Sequence, residues 1–395
     1  MENRCVIMFG LQPWDIEIGS NFKNMALEIS HANKLLYVNR PLDRISYYKK
    51  RKDKKVQARL ESIKQNKNTL KEVKKNIWVL NPRIILDSIN FLPPGRIYNY
   101  LNKKNNKKIA LEILSSAKQL GFDKPVLIVD NDFFNALYLK DFIKPDVFIY
   151  YIRDYLLSQE YFKKHGEKAE PVIMKKADAV VANSSYLNNY ANNYNNSTDI
   201  GQGCEVEEFL ELNQVMPEDM IHLQGPKIGY CGMLTSIRLD INLIEFIATE
   251  KPGWNIILVG PEDDVFISSS LHRIKNVIFL GPKAPSALPA YVHGFDVCIN
   301  PQVLNQMTIG NYPRKIDEYL AAGKPVVATN TRAMSFFSGF VYLCDSPESY
   351  INNIGQALSE KNKSDLGERR IAFAKSHTWA ASVNKLYKVI NDIKK

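Results

Sequence analysis

Short apolar runs alternate with amphipathic stretches along the whole chain. In the first half, residues 5–9, 34–38, 77–80, 126–130, 147–152 and 179–182 are apolar at nearly every position, not at every second one. Such runs read as strands buried on both faces, the pattern of a parallel sheet covered by helices. Stretches with helical periodicity, such as 22–31, 98–120 and 169–176, lie between them. The second half repeats the arrangement, with strands at 228–231, 256–259, 277–280, 297–300, 326–329 and 341–344 and helices such as 241–249 and 314–321. Two consecutive doubly wound α/β units are the expectation. They should meet in the less periodic stretch 205–226, giving Rossmann-like domains at 1–205 and 206–378. A last helix is expected at 379–395. Ligands in such folds lie beyond the carboxyl ends of the strands, and two facing units should leave an interdomain cleft there.

Composition agrees with this picture and adds to it at one place. A chain of 395 residues, 45% of them hydrophobic, has enough material for two cores. The run 5–9 is too short for the apolar part of a signal peptide, and no window of 18 apolar residues predicts a membrane-spanning helix. Four of the five cysteines sit in strand-like runs and none forms a CxxC pair, the usage of a reduced cytoplasmic protein. The formal charge of +10 is concentrated. Residues 44–75 hold 13 Lys or Arg against three acids, and Lys103, Lys104, Lys107 and Lys108 follow. With Tyr47 and Tyr48 beside it, this stretch suits an anionic bilayer surface. A nucleic acid or plain solvent would also accept it.

The most informative local pattern runs from Tyr312 to Thr329. Pro313 suits the opening of a helix and Gly323 its exit. Lys315 and Glu318 are three apart and so share a face near the helix start. A helix N-terminus with a cation beside it favours a diphosphate, and a carboxylate one turn on can accept both ribose hydroxyls. An ordinary i,i+3 ion pair explains the same two residues. Asp130-Asn131-Asp132 has the D-x-D spacing of some metal–diphosphate sites, but reads equally as acids at a strand end. No zinc spacing or P-loop is present, and no metal or cofactor is expected beyond the substrates. His31, His165 and His222 lie in polar contexts that read as surface.

The 312–329 segment resembles the donor-binding helix of GT-B glycosyltransferases, through Glu318, Gly323 and Pro325. The large retaining group carries a second Glu eight residues earlier, where this chain has Gly310. That departure points toward a subgroup resembling teichuronic-acid and xanthan-type glucuronosyltransferases. The stretch Gly229–Arg238 resembles the strand and loop that open the C-terminal lobe, with Gly232 and Arg238 at the matching positions and Met233 where relatives often have a second cation. Residues 177–185, Gly203 with Phe209, 259–262 and 279–282 extend the likeness over most of 145–380, and the resemblance implies that the helix at 379–395 packs back on the first domain.

The resemblance implies a glycosyltransferase that takes a UDP-sugar or similar donor to a glycan or lipid-linked acceptor in bacterial surface polysaccharide synthesis. It would work without metal, in the cytoplasm and at the inner face of the plasma membrane. Gly232, Arg238, Glu262, Tyr312, Lys315 and Glu318 would hold the donor. Asp154, just beyond the strand 147–152, is the candidate base, with Asp15 as its rival. An incomplete retaining pair and an acid on the acceptor lobe favour inversion. Two alternatives belong to other classes: an epimerase or phosphorylase-like enzyme on the same fold, and a nucleic-acid-binding or scaffold protein using the basic stretch. The second is not expected.

Overall fold

The computed structural model describes residues 1–15, 20–49, 54–65, 69–211, 215–306, 308–309, 312–360 and 364–393. Gly310 and parts of the basic stretch (50–53 and 66–68) lie outside the described residues. The chain divides into two units, Met1–Gly201 with Ser382–Lys395, and Gln202–Ala381.

In unit 1 the strands are β1 (Cys5–Gly10), β2 (Lys34–Val38), β3 (Leu70–Lys74), β4 (Ile77–Leu80), β5 (Val126–Asp130), β6 (Val147–Ile152), β7 (Ala179–Ala182) and β8 (Ser197–Asp199). They form one sheet in the order β8-β7-β6-β5-β1-β2-β4-β3. All neighbours are parallel except β3, which runs antiparallel to β4 at the edge. The central strands are sealed on both faces: Val6–Phe9, Leu35–Val38 and Val126–Val129 are all fully buried. This is why their sequences are apolar throughout. β3 was not foreseen. It lies inside the basic stretch and its exposed Lys71 and Lys74 suit an edge, where lysine discourages further pairing. The last helix, Trp379–Ile393, contributes Tyr387 to this unit, whose hydroxyl accepts from Asn33 Nδ2 at 2.9 Å.

Unit 2 is a parallel sheet of β9 (Lys227–Cys231), β10 (Asn255–Val259), β11 (Val277–Gly281), β12 (Val297–Asn300), β13 (Val326–Thr329) and β14 (Tyr342–Cys344). The order is β11-β10-β9-β12-β13-β14. Strand order therefore reverses between β1 and β5 in unit 1 and between β9 and β12 in unit 2. Those switch points are where a doubly wound sheet opens a crevice beyond its carboxyl ends.

One helix differs from its expected extent. Periodicity predicts 169–176, whereas the helix spans Glu160–Lys176 and carries Pro171 inside it. Gly166 interrupts the pattern for a packing reason. A Cβ there would stand 2.6 Å from Leu157 Cδ2 and 2.7 Å from Phe133 Cε2. The same face buries His165, contrary to the surface reading: it is 3% exposed and stacks on Tyr98 at 3.7 Å. Burial lowers its pKa. A polar neighbourhood in sequence misled here because 3.6-residue spacing puts His165 beside Ala169, Ile173 and Gly166, not beside its charged neighbours.

Candidate functional site

Two glycine turns build the floor of the unit 2 site. Gly232 follows β9 with φ +141° and Gly260 follows β10 with φ +150°, conformations that L side chains rarely adopt. The turns touch. A Cβ on Gly260 would lie 1.8 Å from the Gly232 carbonyl oxygen, and one on Gly232 would lie 2.7 Å from Lys315 Nζ. The backbone is tied there by Gly232 N donating to Val259 O at 2.9 Å and Leu234 N to Pro261 O at 2.8 Å. Any side chain at Gly232 would occupy the space next to the ammonium.

Lys315 opens the helix Lys315–Ala321 and points its amine into that space. Nζ stands 3.8 Å from the centroid of the Tyr230 ring and contacts the Tyr230 hydroxyl. Desolvation pulls the amine down to about 7; Glu318 acts against this and Arg238 adds to it. Glu318, one turn on, accepts from Arg314 Nε at 3.2 Å, so the carboxylate pairs with Arg314 and not with Lys315. The ion pair weighed against function in the sequence is therefore not the one formed. Arg238 is exposed on the loop after Gly232. Gly232, Arg238, Lys315 and Glu318 thus gather at the switch point of unit 2.

The other two expected donor residues have side-chain partners of their own, and Glu262 is bridged to Leu234 beside the Gly232 turn. Glu262 follows β10, but its Oε2 meets His272 Nε2 at 2.8 Å, and that imidazole stacks on Phe279. Tyr312 is 8% exposed, and its hydroxyl donates to Asp317 Oδ2 at 2.8 Å. Asp317 Oδ1 in turn meets His377 Nδ1 at 3.1 Å, which ties the helix to the segment before Trp379. Tyr230 and Arg314 went unnoticed in the sequence. Tyr230 sits two positions before Gly232 at a strand end, a place where a polar-tipped aromatic has reason to face a crevice.

In unit 1 the D-x-D triplet acts as a clamp. Asn131 has φ +52°, and its Oδ1 accepts from the backbone N–H of Arg153 (2.6 Å) and of Asp154 (3.2 Å). Its Nδ2 donates to Asp154 O at 3.1 Å. Asp130, fully buried, accepts from Arg153 Nε at 2.6 Å, while Arg153 Nη1 reaches Asp154 Oδ2 at 2.7 Å. Burial raises the Asp130 carboxyl and Arg153 pulls it back. Asp132 accepts from the backbone and amide of Asn135 (2.9 and 2.8 Å). Among the described residues no three His, Cys, Asp or Glu gather to hold a metal. Asp154 keeps 32% of its side chain exposed beyond this ion triad. Asp15 instead pairs with Arg59 at 2.8 Å.

Residues 225–360 match the family described as glycosyl transferases group 1. A "putative teichuronic acid biosynthesis glycosyltransferase", TuaH of Bacillus subtilis (strain 168), is 30% identical over 250 residues. The match covers 60% of this chain and 62% of that relative, so it spans less than two thirds of the relative's length. Among solved structures, a sucrose-phosphate synthase from Thermosynechococcus elongatus superposes with a TM-score of 0.68 at 13% identity, covering 99% of each chain. Anabaena HepE in complex with UDP superposes with a TM-score of 0.65 at 14% identity, over 98% of this chain and 100% of that one. At such identities the structures speak for the fold, which is GT-B: two parallel-sheet Rossmann-like domains. Residues 225–360, the stretch that matches the group 1 glycosyl transferase family, hold every member of the Gly232–Lys315–Glu318 cluster.

Proposed function

We propose that the protein transfers a sugar from a UDP-sugar to a glycan or lipid-linked acceptor in bacterial polysaccharide synthesis. The observation that carries this reading is the buried Lys315 amine beneath Gly232, with Arg238 nearby and Glu318 one turn along. In this reading Lys315 and Arg238 neutralise the diphosphate as it leaves, and Glu318 accepts the ribose hydroxyls. The glycines let the phosphates approach the backbone, where any Cβ would block them. The family of residues 225–360 supports the reaction class, and a relative named for teichuronic acid biosynthesis supports the polysaccharide context. A UDP-bound structural neighbour supports the choice of nucleotide. Asp154 is the proposed base, taking the acceptor proton as its oxygen attacks with inversion. Arg153 orients it, and the buried Asp130 shares that cation.

Calorimetric titration with UDP tests the donor assignment. Lys315→Ala and Glu318→Ala should each weaken binding at least tenfold; unchanged affinity in both removes the assignment. We also propose peripheral association of unit 1 with an anionic membrane. Ile45, Tyr48, Phe91, Ile97 and Tyr100 are exposed among Lys103, Lys104 and Lys107, which supports a surface that meets both lipid and negative charge. No helix of the described residues is long and apolar enough to cross a membrane.

A further inference from the structure

The helix Lys315–Ala321 has seven residues, and isolated helices shorter than about 12–15 residues are marginal in water. Its position must therefore come from ties to its surroundings. Arg314, which precedes it, makes no side-chain cap. On the sheet side the Tyr319 hydroxyl accepts from Cys231 N at 2.9 Å, which holds the second turn. The first turn carries Lys315 and Glu318 and is tied by Asp317. Successive helical residues are turned by about 100°, so Lys315 and Glu318 share one face and Asp317 looks away from it.

Asp317 is fully buried, and both its oxygens have partners. Oδ2 accepts from the Tyr312 hydroxyl at 2.8 Å, which fastens the approach to the helix, and Oδ1 meets His377 Nδ1 at 3.1 Å. Burial raises the carboxyl; His377 and Tyr312 pull it back, against a further rise from Glu318. His377 is itself fixed. Its ring lies 4.5 Å from that of Phe373 and 4.9 Å from that of Phe336, and its carbonyl accepts from Cys204 N at 2.9 Å. Cys204 forms a parallel bridge with Thr378, and its Sγ donates to Arg314 O at 3.9 Å. The stretch that delivers Lys315 is thus tied to two segments far from it in sequence, at Cys204 and at His377–Thr378. An apolar pair would hold the fold as well, because hydrophobic residues of similar volume often replace a buried ionic pair without loss. Directional bonds add something else: they fix the rotation and register of the helix. Lys315 needs this, since its buried amine would regain hydration if the turn moved outward.

We infer that Asp317 and His377 are positioning residues for the nucleotide: with Tyr312 they hold the first helical turn so that Lys315 and Glu318 engage diphosphate and ribose together. Their role rests on the donor reading of Lys315 and Glu318. Tyr312 then acts indirectly, in place of the direct donor contact expected from the sequence. The test is calorimetric titration of the full chain with UDP, with thermal unfolding recorded beside it. His377→Phe keeps a ring against Phe336 and Phe373 but removes the partner of Asp317, and should raise Kd about fivefold or more. Asp317→Leu combined with His377→Phe replaces the polar pair by an apolar one. This double variant should unfold within a few degrees of the unmodified chain and still bind UDP about fivefold more weakly. In a Lys315→Met background the same changes should raise Kd by no more than half that factor, because the pair acts partly through that amine. Full UDP affinity in folded His377→Phe, its return in the apolar pair, or an undiminished effect beside Lys315→Met overturns the inference. Failure of both variants to fold overturns it too, since the pair would then support the fold and no more. Absence of UDP binding in the unmodified chain instead removes the donor reading, and the positioning role with it.

Discussion

Binding of UDP at Lys315 should take up a proton. Burial holds the unliganded amine at about 7, against 10.5 for an ordinary lysine. At pH 8 roughly one amine in ten is then protonated before binding. A diphosphate against it brings negative charge that restores the ammonium. Uptake should therefore be about 0.9 proton at pH 8 and about 0.1 at pH 6. Affinity follows by linkage. The apparent Kd should rise about tenfold per pH unit above 7, about 1.4 kcal/mol for each, until the pKa of the bound amine is reached. The terminal phosphate of the nucleotide titrates near 6 by analogy with phosphate monoesters (~6), so pH 7.5–8.5 isolates the lysine. Titration calorimetry in phosphate and in Tris at pH 8 reads the uptake directly, because the two buffers differ in ionisation enthalpy. Lys315→Met keeps most of the side-chain volume without the charge and should abolish the buffer dependence. Buffer-independent heats in the unmodified chain, or the same uptake in Lys315→Met, would refute the reasoning.

Asp154→Asn keeps the shape but cannot take a proton; turnover should fall by about 10²–10⁴ with UDP affinity intact, and a fully active variant would remove Asp154 as base. Inversion is checked separately by NMR assignment of the product, where an α-linked product from an α-linked donor would exclude it. Glu170, buried and bonded by the hydroxyls of Tyr150 (3.0 Å) and Tyr190 (3.1 Å), has its carboxyl raised by burial to about 7. Its folded pKa lies above its unfolded one, so its stabilising contribution is complete below about 4.5 and is lost as pH rises through about 7. The loss should total about 3 kcal/mol, and urea unfolding followed across that window should show a slope that Glu170→Gln lacks. Vesicle flotation should require anionic lipid and weaken with salt; equal recovery on neutral vesicles at high salt would count against docking through charge.

Much of the fold was legible because sheet burial leaves a direct mark on sequence. A strand covered on both faces has no polar positions, so 34–38, 77–80, 126–130, 147–152 and 179–182 stand out with bounds that match β2, β4, β5, β6 and β7. The missed elements lack that mark. β3 is an edge strand exposed along most of its length, and its lysines resemble loop composition. The first half of the helix Glu160–Lys176 carries Lys163, Lys164 and Gly166, which interrupt the apolar periodicity, and the glycine is explained by its packing against Phe133. That packing is long-range, and no local pattern contains it.

The site divides in the same way, according to whether a residue's role is set by backbone or by distant side chains. Gly232 needs positive φ, and Lys315 must start a helix, so both roles have local signatures. Tyr230 and Arg314 have none. Tyr230 matters because β9 ends beneath the helix Lys315–Ala321, and Arg314 because it takes Glu318 from Lys315. That last pairing changes the chemistry of the site. Had Lys315 paired with Glu318 on a solvated face, the amine would keep its ordinary pKa and an anion would have to compete with a carboxylate for it. With Glu318 on Arg314, Lys315 faces the phenol of Tyr230 and a second cation, an arrangement that is unfavourable until an anion arrives. On the proposed reading, the free energy withheld from the empty protein would appear as affinity for the diphosphate, and more so for a leaving group on which negative charge is growing, since a preorganised cation favours the state with more charge.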